Sequence, residues 1–348
     1  MAKRVLMGGN EALGEGAIRA GCDAYYGYPI TPQNELTAYM ALHMPQHERV
    51  FIQAESEIAA INMVFGSAAA GKRAMTSSSS PGISLKQEGI SYMAGSELPG
   101  LIVNIQRAGP GLGGIDPSQA DYFQATRGGG HGGYRIIVLA PYSVQEMHDM
   151  PMLAFDLADK YRIPVMILGD GQLGQMMEPL VLTEKVPSPP PKPWALTGAA
   201  GRPRNKIYSY YAKTALLEEH NKHLVEKYHT IEKAEVRFET TEMDDAAILV
   251  VAYGTSARLV GGAVAQARMQ GIRVGMIRPQ TLWPFPYEVI RSYASKVQAV
   301  LTVELCAGQM VEDVRLAVEG RTPVHHFGRM GGAMPSVTEV LAKIKEMA

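Results

Sequence analysis

A hydroxyl, a carboxyl and a guanidinium stand at positions where each is either costly to bury or well placed to act: Thr31, Glu57 and Arg107. Thr31 sits in the run Gly27-Tyr28-Pro29-Ile30-Thr31-Pro32. Pro32 suits the first turn of a helix, where its missing N–H costs nothing, and Thr31 suits the N-cap before it. A hydroxyl so placed either caps the helix or donates a hydrogen bond to a carbonyl or a developing alkoxide. Glu57 follows Gln53-Ala54-Glu55-Ser56 and opens an apolar helix expected over Ile58 to Ala70. A carboxyl there is expensive unless something specific requires it, and burial favours its neutral form, which suits proton exchange. The plain alternative is a carboxylate facing the helix macrodipole. Glu55 reads as solvated or capping. Arg107 follows a buried apolar run, and its planar fork either grips a carboxylate in two-pronged geometry or pairs with a neighbouring acid.

These groups need a frame, and the hydrophobic pattern supplies one. Short strands are expected at Arg4–Met7, Ala24–Gly27, Val50–Ile52, Arg73–Thr76, Leu101–Ile105, Ile136–Ala140 and Pro164–Leu168. Helices are expected at Asn10–Ala20, Gln33–Met44 and Val144–Tyr161, and another is capped by Ser80 with Pro81 as its first residue. Strands alternating with helices mean an α/β domain with a largely parallel sheet. Sites in such sheets lie beyond the carboxyl ends of the strands, which puts Thr31, Ser77 to Ser80 and Arg107 on one edge. The glycine-rich segment Gly109–Gly133, with Asp116-Pro117-Ser118-Gln119, Tyr122 and His131, is long for a loop inside a compact domain and reads as a functional lid or interface loop.

Pro187-Ser188-Pro189-Pro190-Pro191-Lys192-Pro193 is semi-rigid and extended, and marks a boundary. Beyond it, Leu216, His220, Leu224, Tyr228 and Ile231 form a helical stripe in a polar segment. A second α/β unit is expected from Ala246: a strand at Ile248–Tyr253, a turn at Gly254-Thr255-Ser256, a helix at Ala257–Gln270, and strands at Val274–Ile277 and Ala299–Val303. The chain has 348 residues and a net charge of −1, with no basic face, so nucleic acid is not an expected partner. Its two cysteines, Cys22 and Cys306, fit a reducing cytoplasm and are too few to hold an iron–sulfur cluster alone. The first eight residues lack the apolar core of a signal peptide, and no run approaches membrane-helix length. His131, His325 and His326 form no convincing metal spacing with other ligands, so no metal site is assigned.

Taken together, Gly-Tyr-Pro-Ile-Thr-Pro at Gly27–Pro32, the Glu57 helix and Asn104-Ile105-Gln106-Arg107-Ala108-Gly109 resemble the alpha subunit of 2-oxoacid:ferredoxin oxidoreductases. Met7-Gly8-Gly9-Asn10-Glu11-Ala12 and the glycine run at Gly128–Gly133 resemble most the 2-oxoisovalerate (3-methyl-2-oxobutanoate) type. The resemblance implies a pyrimidine-type thiamine-diphosphate-binding domain over 1–185, a Pro-rich linker and polar helical segment over 186–244, and a small transketolase-C-like domain over 245–348. It places Arg278-Pro279-Gln280-Thr281-Leu282-Trp283-Pro284-Phe285-Pro286 at a strand-to-helix turn. It further implies that Glu57 hydrogen-bonds N1′ of the cofactor's aminopyrimidine, that Thr31 stabilises the oxyanion, and that Arg107 grips the 2-oxoacid carboxylate. Tyr28, Pro29, Ser79, Ser80 and Gly82 are expected around the cofactor. Gly169-Asp170-Gly171 lacks the downstream Asn that would hold Mg²⁺ and diphosphate, and reads as structural. A beta subunit is therefore expected to bind the diphosphate half with Mg²⁺, and partner subunits, including a gamma and a ferredoxin-like chain, to carry [4Fe-4S] clusters. Coenzyme A would take the acyl group and ferredoxin the electrons. The same chemistry on 2-oxoglutarate or pyruvate, a non-redox transketolase-like thiamine enzyme, and a non-catalytic scaffold remain open.

Overall fold

A computed structural model describes residues 4–184 and 189–348. Residues 1–3, the expected boundary at 185/186, and Pro187 and Ser188 of the proline run lie outside the described residues. In chain order the elements are β1 (Arg4–Gly8), α1 (Gly9–Arg19), β2 (Ala24–Gly27), α2 (Asn34–Gln46), β3 (Val50–Gln53), α3 (Glu57–Ala69), β4 (Ala74–Ser78), α4 (Ser80–Gly95), β5 (Gly100–Gln106), α5 (Tyr122–Thr126), β6 (Ile137–Leu139), α6 (Val144–Tyr161), β7 (Pro164–Asp170), α7 (Gly171–Gln175) and β8 (Met177–Val181). Then come α8 (Thr214–Ala234), β9 (Phe238–Thr241), β10 (Ile248–Val251), α9 (Gly254–Met269), β11 (Val274–Pro279), β12 (Thr281–Trp283), α10 (Tyr287–Ala294), β13 (Ala299–Glu304), α11 (Met310–Val318), β14 (Val324–Gly328) and α12 (Val337–Glu346).

A seven-stranded sheet in the order β12-β6-β7-β5-β4-β2-β3 carries the first unit, and a five-stranded sheet in the order β14-β13-β10-β11-β9 carries the second. The first sheet is parallel from β6 to β3. Helices cover both its faces: α3 packs with α4 on one side, and α1 packs with α6 on the other. Its central strands are accordingly apolar runs with every residue of β5 and β7 buried, rather than alternating ones. The chain leaves β2 toward β3 and leaves β4 in the opposite direction, toward β5. Connections that diverge between neighbouring strands open a crevice at their carboxyl ends. The loops that follow β2, β3, β4 and β5 carry Thr31, Glu57, Ser79 and Arg107 to that edge.

Some expectations give way to tertiary contacts. Gly254-Thr255-Ser256 is the first turn of α9 and not a free turn. Thr255 Oγ1 donates to Asp170 Oδ1 at 2.8 Å and Ser256 Oγ to Gln119 Oε1 at 2.6 Å, which fixes the helix start against the first unit. Within the expected strand-to-helix turn, Thr281–Trp283 forms β12, which pairs antiparallel with β6 and so completes the first sheet from the far side of the chain. In α8, Leu224, Tyr228 and Ile231 are buried as the stripe requires, whereas Leu216 is exposed. Docking there rests instead on His220 Nε2 against Gly95 O and on Lys227 Nζ donating to Glu97 at 2.6 Å.

Candidate active site

Ser56 takes the capping role at the start of α3, its Oγ accepting the Ala59 N–H at 3.1 Å. Glu57 is thereby released from capping, and it is 7% exposed. Its side chain reaches the first turn of α4. A Cβ on Gly82 would lie 2.7 Å from Glu57 Oε1 and 2.0 Å from Ser78 Oγ, so only glycine allows this approach. The Ser78 hydroxyl at the same glycine and that of the neighbouring Ser79 are buried without hydrogen-bond partners among the described residues. Unpaired buried hydroxyls near a buried carboxyl are unfavourable in the protein alone and are of the kind a polar ligand can satisfy.

Lys86, one turn after Gly82 on α4, is fully buried and donates to the Glu57 backbone carbonyl at 3.3 Å. Desolvation pushes its ammonium down to about 8 from the ordinary 10.5, against the opposing pull of Glu57. Between those two pH values the folded chain binds fewer protons than the unfolded one. Stability from this group therefore rises with pH from about 8 to 10.5, and the burial penalty is fully present below pH 8. The shift corresponds to a penalty of about 3 kcal/mol. Lys86→Met should raise the melting temperature at neutral pH and abolish that alkaline rise, as read by denaturation across a pH series; an unchanged pH dependence rejects the assignment.

Thr31 does not cap α2. The helix starts at Asn34 with Gln33 as N-cap, and Thr31 and Pro32 lie in the preceding turn. The Pro32 carbonyl, which a helix starting there would use, instead accepts from Asn10 Nδ2 at 2.8 Å and from Gln175 Nε2 at 3.0 Å. The Thr31 Oγ1 accepts from Asn34 Nδ2 at 3.3 Å, which leaves its own proton free to donate. The Thr31 carbonyl accepts from Arg107 Nη1 at 3.0 Å, so the structure brings these two residues together.

Arg107 is 8% exposed, and carbonyls are its partners: Thr31 O, and Leu112 O at 3.4 Å from Nη2. Its Nε is buried without a partner, and no carboxylate lies within ion-pair distance among the described residues. The alternative of an arginine paired with a neighbouring acid is thus not what the fold builds. A buried guanidinium lacking a counter-charge is chemically suited to receive an anion. It lines a cleft of about 800 Å³ between the first sheet and the second unit, with Ser80 and Asp121 on one wall and Leu305, Ala307, Gln309 and Met330 on the other.

Of the remaining expected residues, Gly82 sits against Glu57 and Ser79 is buried at the start of α4, while Tyr28 and Pro29 are exposed on the β2–α2 loop. Ser80 is displaced from its expected role. Ser79 is the N-cap of α4, and the Ser80 hydroxyl is the first helical residue's, turned to Asp121 Oδ2 at 2.6 Å. Ser77 points into the sheet, bonded to Tyr25 and Gln33. Asp170 caps α7 through the N–H groups of Gln172 and Leu173. Lys86 and Asp121 went unnoticed in the sequence. The signal for Lys86 was its spacing of four residues from Gly82, which puts both on one helix face.

The family model "Pyruvate flavodoxin/ferredoxin oxidoreductase, thiamine diP-bdg" matches residues 15–242, and "Pyruvate:ferredoxin oxidoreductase core domain II" matches residues 246–340. The ketoisovalerate oxidoreductase subunit VorB of Methanothermobacter marburgensis is 52% identical over 98% of this chain and 97% of its own length. The 2-oxoglutarate synthase subunit KorA of Archaeoglobus fulgidus is 40% identical over 93% and 95%. Among solved structures, a 2-oxoglutarate:ferredoxin oxidoreductase from Magnetococcus marinus, with 2-oxoglutarate, coenzyme A and succinyl-CoA bound, aligns with a TM-score of 0.89 at 27% identity, over 99% of this chain and 65% of that one. A split-gene transketolase shares the fold at a TM-score of 0.61 and 15% identity. The chain belongs to the 2-oxoacid:ferredoxin oxidoreductases, as a subunit of their alpha type with a thiamine-diphosphate-binding domain.

Proposed function

We propose that this chain supplies the aminopyrimidine side of a thiamine diphosphate site and part of the substrate pocket for a branched-chain 2-oxoacid. The reaction is 3-methyl-2-oxobutanoate with coenzyme A and two oxidised ferredoxins, giving 2-methylpropanoyl-CoA, carbon dioxide, a proton and two reduced ferredoxins. The observation that carries this reading is the buried, uncompensated Arg107 beside Thr31, at the same sheet edge as the buried Glu57. The residues present fit the cofactor's polar ring: the Glu57 carboxyl, the Ser78 hydroxyl that meets it at Gly82, and the neighbouring Ser79 hydroxyl, both hydroxyls unpartnered among the described residues. When bound, thiamine diphosphate supplies the electron sink for loss of carbon dioxide. Glu57 holds and returns a proton at the ring nitrogen, and its low exposure keeps bulk water from taking that proton instead. Arg107 binds the carboxylate, and Thr31 Oγ1 donates to the carbonyl oxygen as negative charge grows there.

Among the described residues, no group of three or more His, Cys, Asp or Glu side chains is arranged to hold a metal. We assign Mg²⁺ and the diphosphate half to a beta subunit, and the [4Fe-4S] clusters to partner subunits including gamma and ferredoxin-like chains, with ferredoxin as acceptor. No described helix is long and apolar enough to cross a membrane, and we place the complex in the cytoplasm. The choice of substrate rests on the cleft. Among the described residues Arg107 is its sole cation, and Ala108, Pro110, Leu305, Ala307 and Met330 give it apolar patches beside the polar Ser80, Asp121 and Gln309. An aliphatic side chain fits such patches, whereas the second carboxylate of 2-oxoglutarate would lie there unpaired. The test is a 2-oxoacid panel on the co-purified complex, with a viologen dye as electron acceptor. The highest kcat/KM is expected for 3-methyl-2-oxobutanoate. Preference for 2-oxoglutarate or pyruvate rejects the substrate assignment, and iron-free complex without dye reduction favours a transketolase-like enzyme.

A further inference from the structure

The loop between β5 and β6 contains an acid that neither the proton relay nor the carboxylate clamp uses. Asp121 is half-buried at the junction of α4 and β5, on the wall of the cleft. No cation pairs with it among the described residues; its Oδ2 accepts from Ser80 Oγ at 2.6 Å and from Asn104 Nδ2 at 2.9 Å. Ser80 Oγ in turn accepts the Arg107 backbone N–H at 3.0 Å, and the Ser80 N–H donates to Asn104 Oδ1 at 3.1 Å. The Asp121 N–H donates to Gln106 Oε1 at 3.1 Å. One acid thus holds, directly or through one hydroxyl, the end of the strand that presents Arg107. Desolvation raises its pKa, the cost of keeping a carboxyl there without a counter-ion.

The same segment is fastened to the second α/β unit. Gln119 Oε1 accepts from Ser256 Oγ at 2.6 Å and from Leu305 N at 2.9 Å, and its Nε2 donates to Tyr253 O at 2.9 Å. Gln309 Nε2 donates to Ala120 O at 2.7 Å, and Tyr122 OH to Asp313 Oδ2 at 2.7 Å. Leu305 and Gln309 also line the cleft into which Arg107 faces. The Ser118–Tyr122 segment is therefore a strap, anchored in the second unit at one side and holding the clamp of the first at the other.

We propose that Asp121 is a positioning residue for Arg107, and that the second α/β unit sets the carboxylate clamp through the Gln119–Asp121 strap. This inference rests on the reading of Arg107 as the substrate's carboxylate receptor. Displacement of a binding group by about an ångström costs up to about 10²-fold. In the assembled enzyme, Asp121→Ala should raise KM for the 2-oxoacid about tenfold or more, with a smaller change in kcat. Thiamine diphosphate affinity, read by fluorescence titration of the apo-complex, should not move. Asp121→Asn retains an acceptor oxygen for Ser80 and should recover most of the loss. Gln119→Ala, whose own side chain does not line the cleft, should raise the same KM. Wild-type KM in both Asp121→Ala and Gln119→Ala overturns the inference. So does a joint fall of kcat, cofactor affinity and melting temperature without rescue by Asn, which is the mark of general damage. Should Asp121→Ala fail to assemble, Ser80→Ala and Gln119→Ala carry the same KM test. Arg107→Ala separates the two levels: an unchanged KM there defeats the clamp itself, whereas a raised KM there with a normal one in Asp121→Ala and Gln119→Ala defeats only the strap.

Discussion

Glu57→Gln should lower kcat by about 10³-fold while the complex assembles normally, as expected for loss of a positioned acid–base group. Gln matches Glu in shape and can still touch a ring nitrogen, but it cannot exchange a proton. The environment makes the substitution structurally mild. Glu57 is 7% exposed, Ser56 already caps α3, and Lys86 bonds the Glu57 backbone and not its carboxyl. Replacing a buried carboxyl by a neutral amide removes one desolvation cost but also the charge that opposes desolvation of the Lys86 ammonium, so the melting temperature should change little. Size-exclusion chromatography of the complex, thermal melting and dye reduction together decide the matter. Wild-type turnover in the Gln variant refutes the proton-handling role.

Arg107→Ala should raise the substrate KM by about 10²-fold, the equivalent of roughly 3 kcal/mol for a charge pair cut at one partner. A carboxylate gripped by Arg107 would be held in the ground state and the transition state alike, so kcat should fall less than kcat/KM. Arg107→Lys should recover little. A lysine ammonium is a point donor without the fork that bonds the Thr31 carbonyl and a carboxylate at once. Steady-state kinetics on the 2-oxoacid, with cofactor saturating, gives the answer. An unchanged KM in the alanine variant removes the clamp from the mechanism.

Much of the frame was legible because its cause is local. Buried runs such as Leu101–Ile105, and the 3.6-residue period of Val144–Tyr161, reflect which faces must leave water, and both elements form there. Glu57 stood out because a carboxyl heads a helix whose next residues are almost all apolar, and burial follows from that setting. The roles of single hydroxyls were less legible. Ser77 and Ser80 each match a local capping or strand-end pattern, yet their hydroxyls bond Gln33 and Asp121, 44 and 41 positions away, while the Thr31 hydroxyl keeps a local partner in Asn34 and only its carbonyl meets Arg107. Local propensity offers such a group one plausible bond, and a stronger distant partner displaces it. Lys86 was hidden for a related reason: on a helical wheel it is an ordinary surface lysine, and only the packing of α3 on α4 puts it in the interior.

The sequence by itself determined the alternating α/β order, the strand ends at which chemistry could sit, and the resemblance that names the cofactor. Tertiary structure alone decided that Arg107 has no acid within ion-pair distance among the described residues, that Gly82 is bare because Glu57 lies against it, and that β12 crosses to complete the first sheet. It also decided that Asp121 and Gln119 link the two units. The physical reason is one of range. Periodicity and capping are set within a few residues of chain, whereas a buried charge or hydroxyl takes its partner from whichever element the sheet order brings alongside, and that order is a property of the whole fold.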